Sequence, residues 1–279
     1  MPKARTGDLA IAPLAFPLHT AGRLGKFSHA DNYPEWRPSL LPGVAPTSCP
    51  MKTYPIFAVI ENQPCLVVGG GAVGERKVHD LMAAGARVTV ASRTLTPALA
   101  ALASRGEISY LPEDFRSAQV EGMALVMAAT DDPEVNAQVS AAAQARAIWV
   151  NVADAPEYCT FIVPAQVRRG DLTLAISTGG ASPALARQLR EELQQHFGPE
   201  YGPYLDLLQR LRTRLLAERR GHPDNGPLFH RLVRSPLREA VARGDRAWAL
   251  KLLQEVLGSL LSTPVLGELV SQALKGTEG

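Results

Sequence analysis

The chain has 279 residues and a formal net charge of +2 at pH 7, and 46% of its residues are hydrophobic. This length allows one large domain or two ordinary ones with a buried core, and the small net charge excludes a strongly basic surface for nucleic acid. No apolar run reaches the ~18 residues that a membrane span requires. We therefore expect a protein without a nucleic-acid or membrane partner.

The cysteines and histidines predict no metal site. The three cysteines, Cys49, Cys65 and Cys159, form no CxxC pair and no zinc spacing, which excludes a disulfide framework and is typical of a reducing cytoplasm. The six histidines are scattered, and none pairs with another at ligand spacing. We expect a cytoplasmic protein that holds no resident metal.

Residues 1–50 differ in composition from the rest of the chain. They are dense in Pro, Gly and Ser, show no apolar period and lack the apolar run of a signal peptide. We interpret this segment as a disordered or loosely packed extension. Met51 opens "MKTYPIFAVI", where a strand is expected at once, so Met51 is a candidate for the true start of the protein.

Strand-like and helix-like runs alternate over residues 51–163. The strand-like runs are "YPIFAVI", "PCLVVGG", "RVTVAS", "ALVMAAT" and "IWVNVA", with "ISYLPEDF" as a short edge strand or loop. Between them lie amphipathic runs with helix start and stop signals, such as Pro97 at a start and Gly85 and Gly106 at ends. The alternation predicts an α/β domain with a doubly wound parallel sheet.

The pattern changes after Pro156. Over residues 164–203, "FIVPAQVRRGDLTLAIST" predicts a hairpin that leads into the strong helix "GGASPALARQLREELQQHFG". Residues 204–279 read as helical, with a leucine stripe that comprises Leu205, Leu208, Leu211 and Leu215. The expected order is a Rossmann-like sheet, a small α+β domain and a C-terminal helical domain.

The glycine-rich turn in "CLVVGGGAVGERK" predicts a dinucleotide site. Gly69, Gly71 and Gly74 fit GxGxxG between a strand and a helix. The first glycine permits the tight turn, the second lets the backbone approach a pyrophosphate, and the third lets the helix pack on the strand. The helix N-terminus then offers free N–H groups to the phosphates. The alternative is a tight turn without a ligand.

One part of the dinucleotide fingerprint is missing. An Asp or Glu should close the second strand and bind the ribose 2′-hydroxyl, but "VTVASRTL" has Ser92 and Arg93 there. Arg93 could accept a 2′-phosphate or stack beside an adenine. The residues alone therefore leave NAD and NADP both open.

Acidic residues follow two of the predicted strands, at the edge where a doubly wound sheet binds ligands. Asp131 and Asp132 follow "ALVMAAT", and a helix cap before Pro133 is the favoured interpretation for them. Asp154 follows "IWVNVA" and precedes a loop, so no helix needs it as a cap. It is either a turn carboxylate or a general base.

The loop in "ISTGGASPALARQLR" is a second candidate site. It feeds a helix for which Ser182 is the expected N-cap and Pro183 the first residue. Bare N–H groups there would bind an anion, and the alternative is an ordinary capped helix with solvated arginines. The arginines near this loop are Arg168, Arg169, Arg187 and Arg190.

Four motifs together resemble the siroheme synthase family, in its precorrin-2 dehydrogenase and sirohydrochlorin ferrochelatase part. They are "YPIFAVIENQPCLVVGGGAVGERKV", "AATDDPEVN", "VNVADAPEYCTFIVPA" and "STGGASPALARQLRE", in order over about residues 52–215. The resemblance implies a homodimer with a Rossmann domain, a small dimerisation domain and a helical domain. It implies NAD-dependent oxidation of precorrin-2 to sirohydrochlorin, with ferrous iron insertion in some members.

The resemblance also assigns residues to roles. The aspartate of the "DAP" motif, here Asp154, is the family's catalytic residue. Ala72 and Val73 after the glycine turn, and Arg93 and Thr94 after the second strand, are implied to hold NAD. We add Thr130, at the end of "ALVMAAT", to this cofactor set.

The implied substrate is a tetrapyrrole with eight carboxylates, which needs cationic and N–H donors at its rim. The rest of the chain carries no methyltransferase motif, so uroporphyrinogen methylation is not implied. A regulatory NAD-binding module without turnover, and an NAD(P) reductase for another small substrate, remain alternatives. The residues expected to bind the substrate are Ser177, Thr178, Gly179, Gly180, Arg168 and Arg187.

Overall fold

The computed structural model describes residues 52–275. The expectations for residues 1–50 and for a start at Met51 therefore lie outside the described residues. Within residues 52–275, a parallel sheet comes first, an antiparallel hairpin with one helix follows it, and further helices complete the chain.

The sheet has five parallel strands in the order β3-β2-β1-β4-β5. The chain moves outward from β1 to β3 and then returns to pair β4 with the other side of β1. This order is that of the first five strands of a Rossmann fold, so the predicted fold class is confirmed. The strands are β1 (Pro64–Val68), β2 (Arg87–Ala91), β3 (Ser109–Leu111), β4 (Leu125–Ala128) and β5 (Trp149–Val152).

Helices cover both faces of the sheet, which explains why its strands are apolar throughout. In β1, Cys65 and Val67 belong to one buried cluster, while Leu66 and Val68 belong to a second cluster on the opposite face. The helices are α1 (Ala72–Ala83), α2 (Pro97–Ser104) and α3 (Pro133–Gln144), and two 3-10 turns lie at Ser117–Val120 and Pro156–Tyr158.

The strand expected at "YPIFAVI" is not formed. Residues 52–60 lie before the sheet without regular secondary structure. Tyr54 is 86% exposed, Phe57 73% and Val59 87%. The β-branched and aromatic composition was a valid local signal, but a strand also needs a neighbouring strand to accept its hydrogen bonds. In the described chain the first strand of the sheet is β1.

An antiparallel hairpin follows the sheet, as the sequence predicts. It consists of β6 (Ala165–Arg169) and β7 (Leu172–Ile176) and contacts helix α4 (Pro183–His196). The predicted start of α4 is confirmed, because the Ser182 hydroxyl accepts a hydrogen bond from Leu185 N at 3.1 Å and Pro183 is the first helical residue. Arg169 joins the hairpin to the end of α4, since its guanidinium donates a hydrogen bond to Phe197 O at 2.9 Å.

The remaining helices pack around a leucine-rich core. Leu207, Leu211 and Leu215 are each at most 1% exposed. The expected stripe is therefore confirmed at Leu211 and Leu215. Leu207 is buried in place of Leu205. The reason is that residues spaced by three drift away from one face of a helix with 3.6 residues per turn. The helices are α5 (Tyr201–Arg219), α6 (Asn225–Arg234), α7 (Leu237–Ala242), α8 (Arg246–Leu257) and α9 (Thr263–Lys275).

Gly69→Ala should destabilise the fold, whereas Gly267→Ala should not. Gly69 has φ +112°, and an added Cβ would lie 2.3 Å from Ala129 O. We expect its free energy of unfolding to fall by about 2–4 kcal/mol from strain and overpacking. Gly267 lies inside α9, where a Cβ meets nothing within 4 Å, so alanine there should be neutral or slightly stabilising. Urea titration checks both, and equal stabilities of the two variants would contradict the close packing at Gly69.

Candidate functional site

A cleft of about 1070 Å³ opens at the carboxyl ends of β1, β2, β4 and β5. It lies where the strand order reverses between β1 and β4, which is the position of the ligand crevice in doubly wound folds. The residues around it come from the loops after these four strands and after β3.

The glycine turn between β1 and α1 forms the floor of the cleft. An added Cβ at Gly70 would lie 2.1 Å from Thr94 O, and one at Gly74 would lie 2.1 Å from Gly69 O. These glycines therefore allow backbone segments to approach each other. At Gly71 a Cβ meets nothing within 4 Å, so this residue faces the open cleft, as expected for the glycine that a pyrophosphate approaches.

The N-terminus of α1 is suited to bind an anion. Gly71 caps the helix without a side-chain acceptor, and the first α-helical backbone bond begins with Glu75 N, which donates to Gly71 O at 2.9 Å. The N–H groups of the first turn are thus left for a ligand. Ala72 and Val73 of this turn line the cleft. The residues present therefore fit the diphosphate of a dinucleotide.

The end of β2 contributes Arg93 and Thr94 to the cleft. The Arg93 guanidinium lies 2.5 Å from a carboxylate oxygen of Asp114, which belongs to the loop after β3. Tyr110 Oη donates a hydrogen bond to Arg93 O at 3.2 Å. Arg93 is therefore paired with an acid that lines the same cleft. A ribose bound there would meet the Asp114 carboxylate as well as the Arg93 guanidinium.

Thr130, after β4, is held in place by a buried amide. Asn136 Oδ1 accepts a hydrogen bond from Thr130 Oγ1 at 2.9 Å, and Asn136 Nδ2 donates to Thr130 O at 3.0 Å. Asp132 caps α3 through Glu134 N at 2.8 Å, which confirms the favoured interpretation for that residue. Asp131 lines the cleft without serving as the cap.

Asp154 lines the cleft from the loop after β5, and this loop is held by several hydrogen bonds. Its φ of +57° falls in the left-handed region that non-glycine residues rarely adopt. Cys159 Sγ accepts a hydrogen bond from Val152 N at 3.1 Å, and Ser140 Oγ donates one to Tyr158 O at 2.7 Å. These contacts on both sides maintain the unusual backbone at Asp154, a pattern common at functional sites.

One cation lies close enough to Asp154 to interact with it electrostatically. Burial of Lys77 in α1, and next the charge of Arg76, lower the pKa of its ammonium group, while Asp80, Cys159 and Asp154 act in the opposite direction. Burial also raises the pKa of the Cys159 thiol. Cys159 therefore serves as a hydrogen-bonding group that holds the loop to Val152.

The residues predicted to bind the substrate do not line this cleft. Thr178 Oγ1 instead donates to Ser182 O at 3.1 Å, so it orders the turn before α4. Arg168 contacts Gln166, and Arg187 pairs with Glu191 at 3.0 Å on the exposed side of α4. Gly179 and Gly180 have positive φ values in the same turn as Ser177. Their role in substrate binding stays a prediction.

Sequence reasoning missed the acidic wall of the cleft. Glu113, Asp114 and Phe115 line it from the loop after β3. Their only sequence signal is the acidic pair in "LPEDF" directly after a short strand. Because β3 pairs with β2, this loop lies beside the end of β2, and the strand order is needed to see that.

Two further searches concern metals and membranes. Among residues 52–275, no cluster of three or more His, Cys, Asp or Glu side chains could hold a metal ion. Among the same residues, every helix is too short or too polar to cross a lipid bilayer.

Two family models match the chain. One, described as "Putative NAD(P)-binding", matches residues 56–165 and thus covers the sheet. The other, described as "Sirohaem biosynthesis protein central", matches residues 169–196 and covers the hairpin turn through α4. The first match supports a nicotinamide cofactor without distinguishing NAD from NADP.

Similar curated proteins are siroheme synthases. That of Methylobacillus flagellatus is 53% identical over 152 residues, 54% of this chain and 32% of that protein. That of Thioalkalivibrio sulfidiphilus is 40% identical over 76% of this chain and 44% of that protein. Siroheme synthase 1 of Aeromonas salmonicida is 41% identical over 79% and 47%, respectively. The chain thus spans less than half the length of these relatives.

A solved structure agrees with the fold. SirC, precorrin-2 dehydrogenase, superposes with a TM-score of 0.61 and 24% sequence identity over 73% of this chain and 98% of that one. This likeness extends over the sheet and beyond it, and it concerns the fold alone. The curated relatives and the two family models lead to one conclusion: the chain belongs to the siroheme synthase family and corresponds to the N-terminal part of its members.

Proposed function

We propose that this chain oxidises precorrin-2 to sirohydrochlorin with NAD. The observation that carries the proposal is that the Asp154 carboxylate and the anion-binding turn of α1 line one cleft. A site with an anion-binding turn for a cofactor and a carboxylate in the same cleft suits a reaction that removes a hydride and a proton.

Different residues of the cleft would serve the two parts of this reaction, cofactor binding and proton removal. The glycine turn and the N-terminus of α1 would hold the diphosphate, and Thr130, fixed by Asn136, would offer a further polar contact to the cofactor. The bound nicotinamide would accept the hydride. Asp154 would take the proton that leaves the substrate. The electron pair of the C–H bond that is broken by hydride transfer leaves with the hydride, and the electron pair of the bond that held the proton stays on the substrate and forms the new double bond.

NAD is proposed over NADP because the cation at the end of β2 is already paired. Arg93 is the residue that would otherwise attract a 2′-phosphate. Its guanidinium contacts Asp114 at 2.5 Å, so a phosphate arriving there would meet a carboxylate as well as a cation. The cofactor with a 2′-hydroxyl fits this arrangement better.

We propose that the 177–180 loop reaches the cleft of a second copy of the chain. This loop and Arg187 do not line the cleft of their own chain. No residue of α4 is fully buried, and Leu185 on it is 46% exposed. A homodimer that covers α4 and the hairpin would bury this surface and could bring the loop of one copy to the cleft of the other. We therefore propose a homodimer.

Ferrous iron insertion is a second activity that the family resemblance suggests. Asp154 would be the group that removes pyrrole protons, because it already lies where the tetrapyrrole is proposed to bind. Iron is here a substrate rather than a resident metal. Adding Fe²⁺ after complete oxidation, and following the absorbance of siroheme, separates this step from the first.

The direct test mixes purified protein with precorrin-2 and NAD. The absorbance of sirohydrochlorin should appear together with one equivalent of NADH. A protein that binds NAD but leaves precorrin-2 unchanged would be a cofactor-binding module without turnover, and the proposed oxidation would be wrong.

Gly71→Val should strongly weaken NAD binding without unfolding the protein. A valine side chain at this position points into the open cleft, where the diphosphate is proposed to lie. We expect affinity to fall by at least about tenfold, because loss of a charge-assisted hydrogen bond or two has that effect. Fluorescence titration with NADH measures it. Gly267→Val, on α9, is the control and should bind normally.

Asp154→Asn should slow precorrin-2 oxidation by about a hundredfold or more, the usual contribution of a positioned base. Asparagine also tolerates a φ of +57°, so the loop should keep its shape, whereas alanine would add strain. NADH affinity should be unchanged. Asp131→Asn, which removes a carboxylate from the same cleft, is the matched control. Wild-type rates for Asp154→Asn would make Asp154 a turn residue.

Leu185→Asp should convert the proposed homodimer to monomers, since it places a charge in the exposed apolar surface of α4. Analytical ultracentrifugation gives the mass. Val233→Asp changes an exposed apolar residue of α6 that is 59% exposed and should leave the dimer intact. A wild-type protein that sediments as a monomer at micromolar concentration would exclude this assembly.

A further inference from the structure

The Arg93–Asp114 pair stands where dinucleotide folds select their cofactor. In such folds a carboxylate at the end of the second strand binds the ribose 2′-hydroxyl, or an arginine there accommodates a 2′-phosphate. This chain has the arginine at the end of β2, and the carboxylate reaches the same place from the loop after β3. Both residues line the cleft.

We propose that Asp114 is the residue that makes the cleft select NAD over NADP. This inference rests on the proposed function, because it assumes that the cleft binds a nicotinamide dinucleotide. Asp114 supplies the carboxylate that the end of β2 lacks, and Arg93 acts as its positioning partner rather than as a phosphate receptor.

The charges at the pair favour a hydroxyl. While Asp114 is paired, the positive charge of Arg93 is neutralised at 2.5 Å. A carboxylate accepts a hydrogen bond from a ribose hydroxyl but repels a 2′-phosphate, which can only accept. A phosphate would therefore have to displace Asp114 from Arg93 and remain beside its negative charge.

The neighbouring acid is not an equivalent candidate. Glu113 also lines the cleft, but its carboxylate is held by Arg116 at 2.9 Å and by Gln119 Nε2 at 2.8 Å. Its charge is balanced by a partner of its own, and it makes no contact with Arg93 in the described structure. Asp114 is the acid of this loop that is paired with the arginine of β2.

The pair can be changed without damage to the fold. The side chain of Arg93 is 77% exposed and that of Asp114 is 66% exposed. An exposed ion pair contributes little to stability, so substitutions should report on the ligand rather than on unfolding. The backbone of Arg93 keeps its own contact with Tyr110.

Asp114→Asn is the first variant, and NADH and NADPH are the probes. Titration of the free protein, followed by the fluorescence of the reduced nicotinamide, gives both affinities without turnover. We expect the preference for NADH over NADPH to fall by about threefold to fivefold, because one exposed repulsive charge is removed and Arg93 is freed. Asp206→Asn, which breaks the exposed 2.7 Å pair with Arg210 on α5, should leave both affinities unchanged.

A second variant identifies the source of the gain. In Asp114→Asn/Arg93→Met the improved NADPH binding should disappear, since the freed guanidinium is what receives the 2′-phosphate. An unchanged NADH to NADPH ratio in Asp114→Asn, with NADH still bound, would overturn the role of Asp114 and leave the proposed function intact. A wild-type protein that binds neither dinucleotide would contradict the proposed function and, with it, this inference.

Discussion

The close approach of three backbone segments at the glycine turn is the constraint on which the cleft depends. Gly69 lies against Ala129 after β4, and Gly70 lies against Thr94 after β2. A single turn therefore fixes the distance between the ends of β2, β1 and β4. Because side chains are excluded there, the first turn of α1 can face the cleft with its N–H groups free. Backbone contacts therefore set the shape of the floor of the cleft, and side chains from the surrounding loops line the rest of it.

The catalytic candidate is held by a different kind of constraint. Asp154 follows β5 in a left-handed conformation, and the loop after it is tied back by Cys159 and Thr160, whose N–H donates to Val150 O at 2.8 Å. Strain of this kind costs of order 1–3 kcal/mol and persists only where the surroundings fix it. The sequence contains no direct sign of that strain. The sequence shows only a carboxylate after a strand. The structure adds that the backbone at this residue is held in a left-handed conformation.

Local rules explain which features were predictable. The glycine turn and the caps at Asp132 and Ser182 depend on residues a few positions apart, so the sequence identifies them correctly. The strand predicted for "YPIFAVI" was wrong, because a strand needs a neighbouring strand and no local sequence pattern shows whether one is present. Asp114 was missed for a related reason: its nearness to Arg93 follows from the pairing of β3 with β2, and 21 positions separate the two residues in the chain. The substrate-binding residues remain a prediction.

The cleft and the 177–180 loop have different parts in the proposed reaction. All residues assigned to the cofactor, together with Asp154, follow the carboxyl ends of strands of one parallel sheet, whose register sets the positions of those ends. The loop assigned to the substrate follows a two-stranded hairpin that packs on α4 and α5, and a two-stranded hairpin alone is at best marginally stable in water. Such a unit needs support from the rest of the chain or from a second copy. Chemistry and cofactor binding would then be properties of a single subunit, while recognition of the tetrapyrrole carboxylates would depend on assembly.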